Sequence, residues 1–415
     1  MAKSKARDAG KPYRLYLVDT SEAALDALLP FLDKQVRKLA EKDISELRTL
    51  YADRTDLVEN GEIISAHLDV LKGLLRPGTD LAPVGQAFLV FEAIVEDRGV
   101  KAKVYLKLAE SCSPGTFFLT NTSSIPISAI EKEAGLTGRV LGYHFYNPPA
   151  VQKLVEVIAS SATLPELKQL GAELGAALRK KLVPSRDIAG FIGNGHFMRD
   201  GLHGMAEAEK LAGEHGWPAA SYALNRVSQE FLVRPMGIFQ LIDYVGIDVF
   251  DLILQVMHPH HPQDGLQSAI VTRFLSQGVK GGQRGDGSQK DGFFTYPKGR
   301  PEQVWNPEKK AYEAIEGAPW KAAIDAYLGP LPQGHKPWKA LLSDPGKEAF
   351  LAGYFGTLAK QETPGAQLAR AYLRRSREIG AGLVKTGVAE SAREVNDVLT
   401  NGFFHLYGPL NEYCQ

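Results

Sequence analysis

Short apolar runs alternate with amphipathic stretches through the first half of the chain. YRLYLVD (Tyr13 to Asp19) is an apolar run ending in an acid. SEAALDALLPFLDKQVRKLAEK follows it, with apolar residues recurring at three- and four-residue spacing and Ser21 placed as a helix N-cap. FLVFEAIV (Phe88 to Val95) reads as a second, buried strand leading into helical VKAKVYLKLAESC. TFFLTNTSS (Thr116 to Ser124) is a third, followed by the short helix ISAIEKEA, and RVLGYHFY and LVEVI are the fourth and fifth. Strands that alternate with helices predict an α/β fold with a mostly parallel sheet covered on both faces.

From about Asp187 the pattern changes to long helical stretches with no convincing strand series. Lys280 to Gly299 (KGGQRGDGSQKDGFFTYPKG) reads as a flexible glycine-rich connector, and ETPGAQLARAYLRRSREIGAGLVKTG returns to helix. Gly216, Asn225, Val227 and Gly237 recur at identical spacing as Gly387, Asn396, Val398 and Gly408, each set after a helical segment. Chance can produce four identities, but the matching settings favour duplication of a helical unit. The expected division is 1–186 for the α/β domain, 187–300 for a helical domain, and 301–415 for a linker and the second helical unit.

Composition narrows the function. The 415 residues carry 48 Lys plus Arg against 48 Asp plus Glu, so no net field attracts nucleic acid or an anionic membrane. Two cysteines, Cys112 and Cys414, are too few for a disulfide framework or a zinc cage. MAKSKARDAGKP is basic without the apolar stretch of a secretory signal. A cytoplasmic, metal-free protein with neither nucleic acid nor membrane as partner is the expectation.

Two stretches carry candidate chemistry. In LVEVI, period two puts Glu156 on one face with Leu154 and Ile158, where a lone carboxylate is costly unless paired. His144 is the nearest candidate, because the NPP turn can fold the second strand back beside the first. A buried carboxylate that holds an imidazole suits it to act as a general base, and a structural ion pair is the bland alternative. TNTSSIP sets Asn121, Thr122, Ser123 and Ser124 at the C-terminal end of a strand, the rim where open α/β sheets bind ligands. Ser124 also reads as a helix N-cap.

NTSSIPISAI, GYHFYNPPAVQKLVEVI, AGFIGN and VRPMGIFQLIDYVGIDV together resemble the 3-hydroxyacyl-CoA dehydrogenase family in order and spacing, over roughly Tyr13 to Lys298. The resemblance implies a Rossmann-like domain and an all-α C-terminal region with two related helical units. It implies NAD as cofactor and an acyl-CoA thioester as substrate. It further implies that His144 is the catalytic base, Glu156 its orienter, and Ser123 and Asn194 the groups that hold the reacting oxygen. Glu96, Lys101 and Asn121 would lie near the nicotinamide ribose, Asp19 would accept from the adenosine ribose, and Asn147 would support the turn. The family commonly has arginine after the GFI-x-N asparagine; here Gly195 and then His196 follow, the histidine reading as a polar surface residue. A duplicated unit could satisfy within one chain the surface through which single-unit members pair, so a monomer is favoured over a homodimer.

One part of the family pattern is missing. The first strand and the G-x-G-x-x-G loop should stand about 20 residues before the ribose acid, yet Gly10 is the sole glycine before Asp19. Losing two or three charge-assisted bonds to the pyrophosphate, at ~1.5–3 kcal/mol each, weakens binding by roughly a hundredfold to a millionfold. MAKSKARDAGKP reads as the last turns of the helix that follows such a loop. Two accounts compete: a shortened dehydrogenase, or a catalytically impaired acyl-CoA-binding or assembly protein of the same descent. Retention of His144, Glu156, Ser123 and Asn194 together favours the first.

Overall fold

The computed structural model describes residues 13–285 and 287–413, so MAKSKARDAGKP with its expected helical turns, and Cys414, lie outside the described residues. The chain divides into two compact units, one running to Val90 with Lys107–Thr116, the other comprising Phe91–Leu106 and everything from Phe117.

In the first unit β1 (Leu15–Val18) is followed by α1 (Glu22–Lys42), α2 (Ile44–Leu50), α3 (Asn60–Lys72) and β2 (Leu75–Gly78). The Ser21 hydroxyl accepts from Ala24 N–H at 3.2 Å, as the N-cap reading requires. Ala40, Leu47, Ile63, Ile64 and Leu68 form a small core among the three helices. β1 and β2 pair in parallel as a sheet of two strands, separate from the main sheet. Among the described residues the Asp19 strand pairs with β2.

The main sheet has five strands in chain order: β3 (Leu89–Glu92), β4 (Phe117–Thr120), β5 (Val140–Phe145), β6 (Leu154–Ala159) and β7 (Lys181–Arg186). Helices α4 (Arg98–Ser111), α5 (Ile127–Ala134) and α6 (Pro165–Ala177) connect them. β4–β5 and β6–β7 are parallel, whereas the NPP turn makes β5–β6 antiparallel. FLVFEAIV is not a buried strand: it forms a sheet edge, where Phe88, Phe91 and Val95 are exposed and Glu92 is the buried residue. Ser124 is not a helix cap. The Asp187 carboxylate, 60 residues away, takes Ile127 N–H and Ser128 N–H at the start of α5.

The helical region begins with α7 (Gly193–His215), α8 (Trp217–Arg226), α9 (Ile238–Val245), α10 (Ile247–Met257) and α11 (Ala269–Ser276). Three short antiparallel strands, β8 (Phe294–Thr295), β9 (Gln303–Asn306) and β10 (Ala311–Ala314), interrupt the all-helical pattern expected there. Then come α12 (Pro319–Leu328), α13 (Trp338–Leu341), α14 (Lys347–Leu358), α15 (Pro364–Lys385) and α16 (Ala392–Gly402). The glycine-rich connector is not a loose tether. It folds back on the buried Asp243 carboxylate, which accepts from Phe293 N–H at 2.6 Å, Phe294 N–H at 2.9 Å and Tyr296 O–H at 2.7 Å. His196 is also not a surface residue: α15 packs over it, burying the ring and bringing Ser376 Oγ within 3.0 Å of Nε2. Burial pushes the His196 imidazole below its ordinary value, so it stays neutral.

Three of the four repeated residues do the same physical job twice. Gly216 and Gly387 follow the long helices α7 and α15 at φ of 77° and 74°. Asn225 Oδ1 accepts from Gln240 N–H at 3.0 Å, and Asn396 Oδ1 accepts from Leu410 N–H at 3.0 Å. A Cβ on Gly237 would stand 2.2 Å from Asn225 Oδ1, and one on Gly408 2.1 Å from Asn396 Oδ1. Each asparagine is pressed against a glycine because no other residue leaves it room.

Candidate active site

The antiparallel register puts His144 directly opposite Glu156. The Glu156 side chain is fully buried and its charge is met by donors rather than water. Ile192 N–H, just before α7, donates to Oε1 at 2.7 Å, and Tyr146 O–H donates to Oε2 at 2.8 Å. His144 Nδ1 lies 3.6 Å from the same Oε2, beyond a hydrogen bond, and is buried with no hydrogen-bond partner. The His144 and Tyr146 rings lie 4.6 Å apart, tilted. Burial, with the Glu156 charge beside it, pushes the Tyr146 phenol well above its ordinary value, so it remains a donor.

The hydroxyl rim at the end of β4 closes around Glu96. One carboxylate oxygen accepts from Thr122 O–H at 2.7 Å, Ser123 N–H at 2.8 Å, Ser124 N–H at 2.9 Å and Ser124 O–H at 2.8 Å. Ser123 O–H reaches it at 3.3 Å. Burial opposes the Glu96 charge, but Lys101 and these donors overcome it and hold the carboxyl below its ordinary value. Lys101 is itself buried, 2.7 Å from Glu92 and 3.4 Å from Glu96. Asn121 is tied down at both ends, its N–H donating to Glu92 O and its Oδ1 accepting from Phe145 N–H at 2.9 Å. Asn194, in the first turn of α7, donates from Nδ2 to Ser123 O at 3.1 Å. Asn147 opens the turn after His144 with a cis bond to Pro148.

The fold thus pairs His144 with Glu156 and Ser123 with Asn194, and places Ser123 and Lys101 on Glu96. Asp19 belongs to the other unit, exposed just after β1, with Oδ1 accepting from Ser21 N–H at 2.9 Å. Sequence reasoning missed Tyr146 and Ile192. Tyr146 was legible in part, since two residues along a strand puts it on the His144 side. A backbone N–H such as that of Ile192 leaves no sequence signal.

The residues fit a dinucleotide only in part. The exposed Asp19 carboxylate suits a ribose diol at the end of a strand. Lys101 is committed between two carboxylates, Glu92 and Glu96. Among the described residues no helix is long and apolar enough to cross a membrane, and no cluster of three or more potential metal ligands occurs.

Residues 9–188 match the NAD binding domain of 3-hydroxyacyl-CoA dehydrogenase, and residues 218–291 match its C-terminal domain. The human mitochondrial hydroxyacyl-coenzyme A dehydrogenase is 30% identical over 285 residues, covering 68% of this chain and 85% of the human protein. The probable 3-hydroxybutyryl-CoA dehydrogenase of Bacillus subtilis is 31% identical over 253 residues, 61% of this chain and 79% of that protein. Among solved structures, 3-hydroxybutyryl-CoA dehydrogenase from Escherichia coli shares the fold over 96% of this chain and 85% of its own, with a TM-score of 0.60 at 21% identity. Mycobacterium tuberculosis FadB2 covers 71% of this chain and 93% of its own, with a TM-score of 0.53 at 28% identity. The chain belongs to the 3-hydroxyacyl-CoA dehydrogenase family, an oxidoreductase family whose N-terminal domain binds NAD.

Proposed function

We propose that this chain interconverts 3-hydroxyacyl-CoA and 3-oxoacyl-CoA, with His144 as general base. The observation that carries the proposal is the in-register, buried placement of His144 against Glu156. NAD, when bound, supplies the acceptor for hydride from C3. His144 takes the proton of the 3-hydroxyl and returns it in the reverse direction. Glu156, fixed at Oε1 by Ile192 N–H, stabilises the imidazolium that forms. Ser123 O–H and the Asn194 amide hold the reacting oxygen. The Ser123–Glu96 contact of 3.3 Å is long for a hydroxyl on a carboxylate, so exchanging it for a substrate oxygen costs little. Asp19, Glu96, Lys101 and Asn121 are assigned to the cofactor side, and 1–186, 187–300 and 301–415 to the three domains.

The test is loss of NADH absorbance when the chain meets acetoacetyl-CoA, with a longer 3-oxoacyl-CoA beside it. Turnover that falls roughly 10²- to 10⁴-fold in His144→Ala supports the base assignment; a variant that keeps its rate at saturating substrate removes it.

A second reading has its own support. Lys101 is internally engaged between Glu92 and Glu96. This fits an acyl-CoA-binding protein of dehydrogenase descent with weakened cofactor binding. That reading predicts acetoacetyl-CoA binding without NADH oxidation. Packing of α15 against α7 within one chain supports a monomer, which a concentration-independent dimer in sedimentation would reject.

A further inference from the structure

The proposed chemistry leaves Tyr146 without a role, yet the surrounding chain is shaped to admit its hydroxyl. A Cβ at position 193 would stand 1.9 Å from that oxygen, so Gly193 in the first turn of α7 leaves the space it occupies. A Cβ at position 402 would stand 2.9 Å from the Tyr146 ring carbons, so Gly402 at the end of α16 does the same for the ring. Phe403 meets the ring edge-on at a centroid distance of 5.5 Å. A phenylalanine would fill the ring slot without the hydroxyl. The hydroxyl goes to one place, Glu156 Oε2, the oxygen nearest the unpartnered His144 Nδ1.

We infer that Tyr146 is a positioning residue of this site: its hydroxyl shares Glu156 Oε2 with His144 and so limits how firmly the carboxylate holds the imidazolium. The inference rests on the reading of His144 as base. An anion that already accepts a short hydrogen bond offers less to a second donor. With the phenol in place Nδ1 stays at 3.6 Å. Without it, Oε2 is free to close on Nδ1–H to the roughly 2.8 Å of a charge-assisted bond. Among the described residues, the elements packed around the pair bring no competing free charge. β7 sets Val183 opposite Glu156, and the start of α7 brings Ile192, Gly193 and Asn194. α16 brings Gly402, with its Asp397 held by Lys181. Glu96, on the rim beside β5, is occupied by Thr122, Ser123, Ser124 and Lys101.

The experiment is an NMR titration of the histidine rings in the full chain, with His144→Gln identifying the His144 signal. In Tyr146→Phe the His144 midpoint should move up by roughly 0.5–1 pH unit. The ascending limb of kcat/KM for 3-hydroxyacyl-CoA oxidation should move with it, while KM changes little. A midpoint that stays put or moves down overturns the inference. Gly193→Ala crowds the same hydroxyl without deleting it, should shift the midpoint the same way, and decides the matter if Tyr146→Phe does not fold. Adding Tyr146→Phe to Gly193→Ala should recover part of the lost melting temperature, and no recovery would mean the glycine is not there for the hydroxyl. The titration needs no turnover. A shifted midpoint in a chain that oxidises nothing refutes the activity alone; an unshifted one in an active chain refutes the role of Tyr146 alone.

Discussion

The two helical copies use one device and put it to different ends. In each, a long helix ends at a left-handed glycine, and the next helix lodges an asparagine against a second glycine. The first copy offers the site its beginning: Ile192 N–H and Asn194 at the start of α7 reach Glu156 and Ser123. The second offers its end, where Gly402 at the close of α16 gives its carbonyl to Gln152 and its open flank to Tyr146. The helical region thus approaches one carboxylate site from two sides, through Ile192 and Asn194 at the start of α7 and through the Gly402 carbonyl and its open flank at the end of α16. The lesson is that the asparagine–glycine lock is the constant part, and the chain beyond each end is what differs.

Breaking the bridge between the copies should have the largest effect on stability. Asp200 on α7 accepts from Arg234 at 2.9 Å and from Tyr372 O–H on α15 at 3.3 Å, all buried. Arg234→Leu leaves that carboxylate uncompensated and should cost about 3–5 kcal/mol in urea unfolding; a loss below ~1 kcal/mol would mean the copies are held by apolar packing alone.

The first copy carries an extra clamp at Asp243, on α9. Burial pushes this carboxyl up to about 7, against the pull of three donors. A carboxyl that binds its proton more tightly when folded stabilises below its unfolded value near 4, and that stability is lost as pH rises through the folded value. Unfolding free energy should therefore fall between about pH 4 and 7, by up to ~4 kcal/mol from this group. Asp243→Asn should flatten the slope, and an unchanged slope would show that the three donors keep the group ionised throughout.

Smaller still is the difference between the two locks. Asn225→Ala strands a buried backbone N–H and Asn396→Ala a half-buried one; each should cost about 1–3 kcal/mol, Asn225 the more because it is the deeper. The reverse order would place the structural weight on the second copy.

What was legible in the sequence follows the range of the interactions. The β5–β6 hairpin and the His144–Glu156 pairing needed only a turn and period two, and both were readable. So was the repeat, because the lock that preserves it is local. His196 was misread because its surroundings include Ser376, 180 residues along the chain, and Ser124 because its hydroxyl goes to Glu96 while the distant Asp187 takes the first N–H groups of α5. FLVFEAIV looked buried because an edge strand and a central one can share the same apolar run. β7 was overlooked because KLVPSR carries charge and a proline. The connector looked flexible because its glycines are visible in sequence and the Asp243 clamp they fold onto is not.

The pH dependence of kcat/KM for 3-hydroxybutyryl-CoA oxidation, with wild type beside His144→Gln, tests the central claim most directly. A base must be neutral to accept the hydroxyl proton, so the wild-type value should rise with pH through one ionisation. The His144→Gln value should be roughly 10²- to 10⁴-fold lower and lack that rise. The same rise persisting in His144→Gln would contradict the account, because the proton would then be going elsewhere.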